Sequence, residues 1–368
     1  MKILYITTIG GTMVFFEDFI KQLVSAGHTV DIATNETTSK VPECYRKMGC
    51  RIFPLECTRS PLKKGTFVTI KQIRQLLDKE KYDIVHCHTP IAAMCTRLAA
   101  GKARKRGTKV MYTAHGFHFC KSAPLVNWLV YFPIEWVCSF MTDVLLTMNN
   151  EDYTFAKKHM HAKKIRYVPG VGIDTDKFSG GLSDRTQKRK EIGVDENKVL
   201  LISVGELNKN KNHEIIIKAL KNIDNAEYIV AGRGDEEEKL KKLADELKIA
   251  DRVHFLGYRS DIAELYSVSD INVFPSHREG LPVALMEAMA SGLPVICSKI
   301  RGNVDLVVNG KGGYLCNPSD ESDFAEKIRL LIENRDLARQ MGEFNKEYIK
   351  TFSIENVLKV MNNIYGTK

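Results

Sequence analysis

Short apolar runs rich in β-branched residues recur along this chain, each followed by a longer stretch with helical periodicity, and the whole beat occurs twice. A β-run that is apolar along its full length, rather than at alternate positions, predicts a strand covered on both faces, and strand–helix alternation predicts a parallel sheet. In the first half the predicted strands are 2–7, 29–34, 82–88, 109–115, 143–148 and 164–169. In the second half they are 198–205, 226–232, 252–257, 271–276, 293–298 and 312–317. A chain of 368 residues exceeds what one core comfortably serves, so two α/β domains are expected. The first helix is expected over about 14–26, ending at Gly27, and three helical stretches, 319–333, 335–349 and 353–365, close the chain. The segment GVGIDTDKFSGGLSDRTQKRKEIG, rich in glycine and charge, reads as the linker, with the boundary near residue 172.

Charge is unevenly placed. Residues 1–170 carry 25 Lys and Arg against 13 Asp and Glu, whereas 171–368 carry 29 against 32. A basic half suits nucleic acid, an anionic membrane or a phosphate-bearing substrate, and charge alone does not choose. No run of apolar residues is long enough to span a bilayer. Segment 125–140, LVNWLVYFPIEWVCSF, reads first as a core helix kinked at Pro133, with a helix lying in a membrane interface as the alternative. The stretch from Lys63 and Lys64 to Arg74 adds cations to the same half. The N-terminus reads as a buried strand rather than a secretory signal, and nine cysteines without a CxxC pair fit free thiols, so a cytoplasmic protein without structural disulfides is expected.

In open parallel sheets ligands collect outside the C-terminal ends of the strands, so the informative residues should follow strands. Gly10 and Gly11 follow the first and could bring backbone close to a phosphate, or merely make a tight turn. Gly232-Arg233-Gly234 lacks the third glycine of a dinucleotide fingerprint. The strongest signal is SHREGLPVALMEAMA (276–290). There Glu279 ends a loop after a strand and Glu287 lies eight positions on, inside a helix whose first turn Pro282 suits. Two such glutamates in isolation read as solvated charges, but small and apolar neighbours imply burial, and a buried carboxylate needs partners. His115 ends a predicted strand and reads as either a structural or a site histidine. His86 and His88 share a strand face without further zinc-spaced ligands, and Asp174-Thr175-Asp176, though a D-x-D, sits in the linker and reads as structural.

The E-x7-E run with its AMASGLPVI continuation, the VPGVGIDTDKF linker and the VGELNKNKNHE loop together resemble the retaining GT-B glycosyltransferases of family GT4, over the first strand to about residue 350. The resemblance implies an α/β fold of two Rossmann-like, doubly wound parallel-sheet domains facing an interdomain cleft. Residues 1–172 would bind the acceptor and 173–350 the nucleotide sugar; beyond the resemblance, the closing helices have no strand after them, so 351–368 reads as a C-terminal helix packing back on the first domain. By matching position, Glu279 would contact the donor hexose, Glu287 the ribose, Gly280 and Leu281 the diphosphate through their amides, Lys211 the diphosphate as a cation, and His115 the transferred sugar. The family commonly has arginine where this chain has Glu206, a loss that Lys209 could replace. The implied activity is transfer of a hexose or N-acetylhexosamine, with retention, from a UDP-linked or similar sugar to a glycan acceptor of cell-surface polysaccharide assembly. Neither cofactor nor metal is implied. The implied partners are donor and acceptor, and no nucleic acid; the basic first half, the stretch from Lys63 and Lys64 to Arg74 and the aromatic segment 125–140 add the expectation of a lipid-linked saccharide acceptor at an anionic membrane surface, on whose inner face a peripheral enzyme would sit. A nucleotide-sugar epimerase of the same architecture and a non-catalytic nucleotide-sugar-binding protein are the rival readings.

Overall fold

The computed structural model describes residues 1–58, 64–121, 123–180 and 184–367, which leaves Lys63 and part of the linker outside the described residues. The chain divides into two compact units, Met1–Val171 with Val360–Lys368, and Gly172–Lys359. The division therefore falls at 171/172, and helix Ile354–Tyr365 is shared: its residues up to Lys359 count with the second unit, the rest with the first.

The first unit holds strands β1 Lys2–Ile9, β2 Thr29–Asn35, β3 Arg51–Pro54, β4 Ile84–His88, β5 Lys109–Ala114, β6 Val144–Thr147 and β7 Lys164–Tyr167, in the order β3-β2-β1-β4-β5-β6-β7. All are parallel, β1 pairing β2 through Lys2–Thr29 and β4 through Ile3–Ile84. Strand β3 is absent from the sequence reading. It is a four-residue edge strand, half exposed, ending in a proline, and so carries no apolar run to find. The first helix also differs. The chain enters it through a 3-10 turn, Gly10–Phe16, and becomes α-helical only over Glu17–Ser25.

The second unit repeats the plan with β8 Val199–Val204, β9 Ala226–Ala231, β10 Val253–Gly257, β11 Ile271–Phe274, β12 Val295–Ser298 and β13 Gly313–Cys316, in the order β10-β9-β8-β11-β12-β13. Alternation along β8 shows why its sequence is apolar throughout. Val199 and Leu201 enter the cluster on one face of the sheet, Leu200 and Ile202 the cluster on the other. Each fully buried Leu or Ile contributes about 2 kcal/mol of transfer free energy, so a polar residue at any of these positions would be opposed on either side.

The order reverses direction between β1 and β4 in the first sheet and between β8 and β11 in the second. At such a switch point the two connections leave in opposite directions and open a crevice beyond the strand ends. Each unit therefore has one predetermined place for a ligand.

Helix Leu125–Ser139 departs from the core reading. Its inner side packs on the first core through Trp128, Tyr131, Phe132 and Ile134, while Leu125, Val126, Leu129 and Val137 are exposed. Among the described residues no helix is long and apolar enough to cross a membrane.

Candidate functional site

At the second unit's switch point the loop after β8 and the loop after β11 are tied together. The Asn210 side-chain amide donates to the Arg278 carbonyl at 3.0 Å, and the His277 amide donates to the Asn210 carbonyl at 2.8 Å. Asn212, in the left-handed region at φ 56°, reaches the carbonyls of Pro275 and Pro318. This lacing fixes Lys211 between Asn208, which accepts from its amide, and Gly205, where a side chain's first carbon would lie 3.2 Å from the lysine stem. Lys211 thus precedes helix His213–Leu220 by two residues rather than opening it.

The Lys211 ammonium meets the Glu279 carboxylate at 2.8 Å and sits 5.0 Å from the Phe274 ring centre. Both side chains are mostly buried, at 20% and 14% exposure, so the pair is shielded from bulk screening while remaining open to a ligand. A pair held this way can exchange partners: the cation toward a phosphate, the carboxylate toward hydroxyl donors.

Behind Glu279 the chain passes Gly280, Leu281 and Pro282 into helix Val283–Ala290, whose N-terminus no side chain caps. Pro282 is the N-cap residue rather than a first-turn residue. Gly302, at φ 81°, faces the Gly280 carbonyl so closely that any side chain would collide with it. Arg301 donates to the Glu279 carbonyl at 3.0 Å and so fixes the same turn. Sequence reasoning missed Arg301, though its place after β12, beyond a strand end, was a usable signal.

Glu287 projects from the second turn of this helix and makes no hydrogen bond with Lys211 or Glu279. Burial pushes its carboxyl up to about 7, and Lys177 pulls the other way. Lys177 belongs to helix Thr175–Ser179, which Asp174 caps by accepting from the Lys177 amide, so the D-x-D is a helix start. Glu206 is exposed and accepts from the Asn208 side chain; Lys209 is exposed on the same loop.

The first unit's switch point is built from rings instead of charges. His115, directly after β5, meets His88 of β4 at 3.1 Å between Nε2 and Nδ1. The His88 ring lies among Tyr5, Phe16 and His86 at 5.3, 4.2 and 4.1 Å between centres, and its Nε2 is buried without a partner. His86 is satisfied on both nitrogens, by Thr113 at 2.7 Å and by Tyr365 at 2.6 Å, whose hydroxyl also reaches Tyr5. Burial lowers all three: His115 to about 4, His86 to about 3 with the nearby His115 adding to the fall, and His88 well below its usual range. These are neutral imidazoles that can donate or accept but do not supply a cation at neutral pH. The contact from His88 to His115 was not foreseen, although the shared face of His86 and His88 pointed to it. Among the described residues no group of three or more His, Cys, Asp or Glu side chains could hold a metal ion.

Gly10 and Gly11 lie in the 3-10 turn after β1. The side of Gly10 where a side chain would stand is already filled by backbone, the Ser39 carbonyl at 2.6 Å and the Val41 amide at 2.7 Å. Its glycine is required by this packing whether or not a ligand binds. Across the crevice Thr89 adopts φ 65°, a strained value for a β-branched residue, and is held by the Thr8 hydroxyl at 2.6 Å.

Residues 184–348 match the family described as Glycosyl transferases group 1, and residues 9–177 match Glycosyltransferase Family 4. EpsD of Bacillus subtilis (strain 168) is 35% identical over 99% of this chain and 96% of its own length. The UDP-Gal:alpha-D-GlcNAc-diphosphoundecaprenol alpha-1,3-galactosyltransferase of Escherichia coli is 30% identical over 79% of this chain and 77% of its own. In three dimensions the chain is similar to Anabaena HepE crystallised with UDP-glucose, at a TM-score of 0.84 and 20% identity over 100% of this chain and 99% of that one, a likeness of fold.

Proposed function

This chain belongs to the GT-B glycosyltransferases of the group 1 and family 4 type, and we propose that it moves a hexose or N-acetylhexosamine, with retention, from a UDP-linked donor on the second unit to a lipid-linked saccharide on the first. The observation that carries this reading is the Lys211–Glu279 pair at the second switch point. Sugar transfer demands stabilisation of a departing diphosphate as the anomeric carbon becomes oxocarbenium-like. Lys211 released from Glu279 supplies a cation there, and the uncapped turn at Gly280 and Leu281 supplies N–H donors. Glu279, freed in turn, accepts from hydroxyls of the sugar; Glu287 accepts from the ribose diol; Gly10, Gly11 and Lys209 stand as further contacts to the diphosphate. With that charge already in the protein, transfer requires no metal.

His115 donates a neutral hydrogen bond to the transferred sugar, with His88 fixing its ring. The donor phosphate takes the proton of the attacking hydroxyl on the face from which it leaves, so the new bond keeps the old configuration. UDP-glucose bound to HepE and the diphosphoundecaprenol acceptor named for the Escherichia coli relative support the choice of donor and acceptor class.

The test is incubation with a panel of nucleotide sugars, with and without a lipid-linked acceptor and with a chelator present. Acceptor-dependent transfer that survives chelation and keeps the anomeric configuration is the expected result. Sugar-nucleotide turnover without acceptor would indicate an epimerase instead, and binding without turnover a sensor.

A further inference from the structure

At the N-terminal ends of β4 to β7, opposite the crevice, the first unit holds a hollow of about 460 Å³, the size of a small-molecule site. Its floor is apolar. Ile84 of β4, Met111 of β5 and Val144 of β6 are buried there. Val360 and Ile364, four apart on the part of helix Ile354–Tyr365 that counts with the first unit, form one wall. The register sets the sheet residues on one face: Ile84 pairs with Lys109, Met111 with Val144, and Val144 with Lys164.

The rim is cationic. Lys109, two residues before Met111, and Lys164 and Arg166 of β7 line the hollow and are exposed. From the register, the Lys109 and Lys164 Cα atoms stand about 12 Å apart, two strands across and two residues along. Each carries a long flexible stem, so both ammonium groups can close on one anion between them. Among the described residues neither ammonium has a partner, and Arg166 donates to the Ile165 carbonyl rather than to a carboxylate. Asp143, the one carboxylate among the described residues lining the hollow, does not offset them. It is saturated, accepting from Arg104 at 2.9 and 3.0 Å, from the Val110 amide at 2.9 Å and from Lys163 at 2.8 Å. Cations that guard an edge strand against pairing account for Lys164 and Arg166 on β7, but not for Lys109, which lies two strands inside. Three cations crowded around an apolar floor repel one another until an anion joins them.

We propose that this hollow is a second ligand site, which takes a soluble organic phosphate: the phosphate lies between Lys109, Lys164 and Arg166, and a planar or apolar body covers Met111 and Val144. Both parts of that chemistry are needed, since inorganic phosphate leaves the floor wet and an uncharged apolar molecule leaves the cations unpaired. The site lies at the other end of the strands from the crevice and stands whether or not the transfer reading does. It borders the imidazole row, because Met111 pairs with His86 and Ile364 precedes Tyr365, whose hydroxyl meets His86 at 2.6 Å.

The test is lysine acetylation footprinting of the full chain by mass spectrometry, with 1-naphthyl phosphate as the probe. At millimolar probe Lys109 and Lys164 are expected to lose about fivefold or more of their reactivity, while Lys242, exposed on the second unit, keeps its own. Inorganic phosphate should need about tenfold more to half-protect Lys164, because it covers no apolar surface. Lys109→Glu, at an exposed position, should melt as wild type and raise the probe concentration that half-protects Lys164 by about tenfold or more. Absence of protection, equal protection of Lys242, half-protection by inorganic phosphate at the same concentration, or no shift in Lys109→Glu each overturns the proposal. None of these readouts involves sugar transfer, so a failure here is distinct from a failure of the donor crevice.

Discussion

The two switch points share one topology and hold opposite chemistry. In the second unit the loops beyond β8 and β11 meet through an ammonium and a carboxylate, with a second carboxyl, Glu287, buried nearby in the helix that follows. In the first unit the ends of β1, β4 and β5 meet through three neutral imidazoles, two tyrosines and a phenylalanine. A parallel-sheet crevice therefore dictates where a ligand goes and leaves its polarity to the side chains. The charged crevice suits a diphosphate. The neutral, aromatic one suits a sugar ring, whose faces stack on aromatic side chains and whose hydroxyls can pair with neutral imidazoles.

The contrast can be broken most severely at the charged side. Lys211→Ala and Glu279→Ala are each expected to lower kcat/KM by about 10³, the scale of losing a main stabiliser of developing charge. Thermal melting should stay within about 4 °C of wild type. Near-wild-type rates in both would remove the charged crevice as the donor site.

Acid should separate the units next. A histidine whose folded value lies below its unfolded value of about 6.5 favours folding fully above that pH. That contribution is lost as pH falls toward the folded value, at about 1.4 kcal/mol per pH unit. His86, lowered to about 3, makes the first unit lose about 3 kcal/mol between pH 6.5 and 4, before the contributions of His88 and His115. Both tryptophans, Trp128 and Trp136, lie in the first unit, so their fluorescence should report its urea unfolding at a midpoint that falls on acidification. A flat profile would mean that the imidazoles are solvated.

Glu287 carries the opposite sign. Its folded value, pushed up to about 7, exceeds the unfolded one, so folding is favoured below about pH 4.5 and loses stability as pH rises through 7. Discounted for partial exposure, Glu287→Gln should be about 2 kcal/mol more stable than wild type at pH 8 and equal to it near pH 4. Because a diol stabilises the carboxylate, nucleotide binding at pH 7 should also release a proton, readable as a buffer-dependent heat in calorimetry.

Smaller effects sharpen the contrast. His115→Ala should cost about tenfold in kcat, the worth of one neutral hydrogen bond, and its rate should not titrate between pH 6 and 8. A pronounced titration there would make it an acid or base. Lys209→Ala, on the exposed loop after β8, should change kcat/KM by less than about threefold.

Twelve strands announced themselves because burial on both faces demands unbroken apolar runs, whereas Arg51–Pro54 gave no sign, since an edge strand needs only backbone pairing. Glu279 and Glu287 are legible because carboxylates among small and apolar neighbours need partners, whereas Lys211 is marked by its match to the family pattern. Helix Leu125–Ser139 misled in the core reading because apolar residues all round look alike whether the outer face meets protein or nothing.

Sequence alone determined the two parallel sheets, their βα order and the strand ends at which chemistry could sit, because these follow from local periodicity and burial. Only the tertiary structure decided that Lys211 reaches Glu279 across 68 positions, that His88 holds His115, that Gly10 is demanded by residues 39–41, and that Glu135 turns inward to Arg97. Each depends on a distance between segments remote in the chain, which no local pattern encodes.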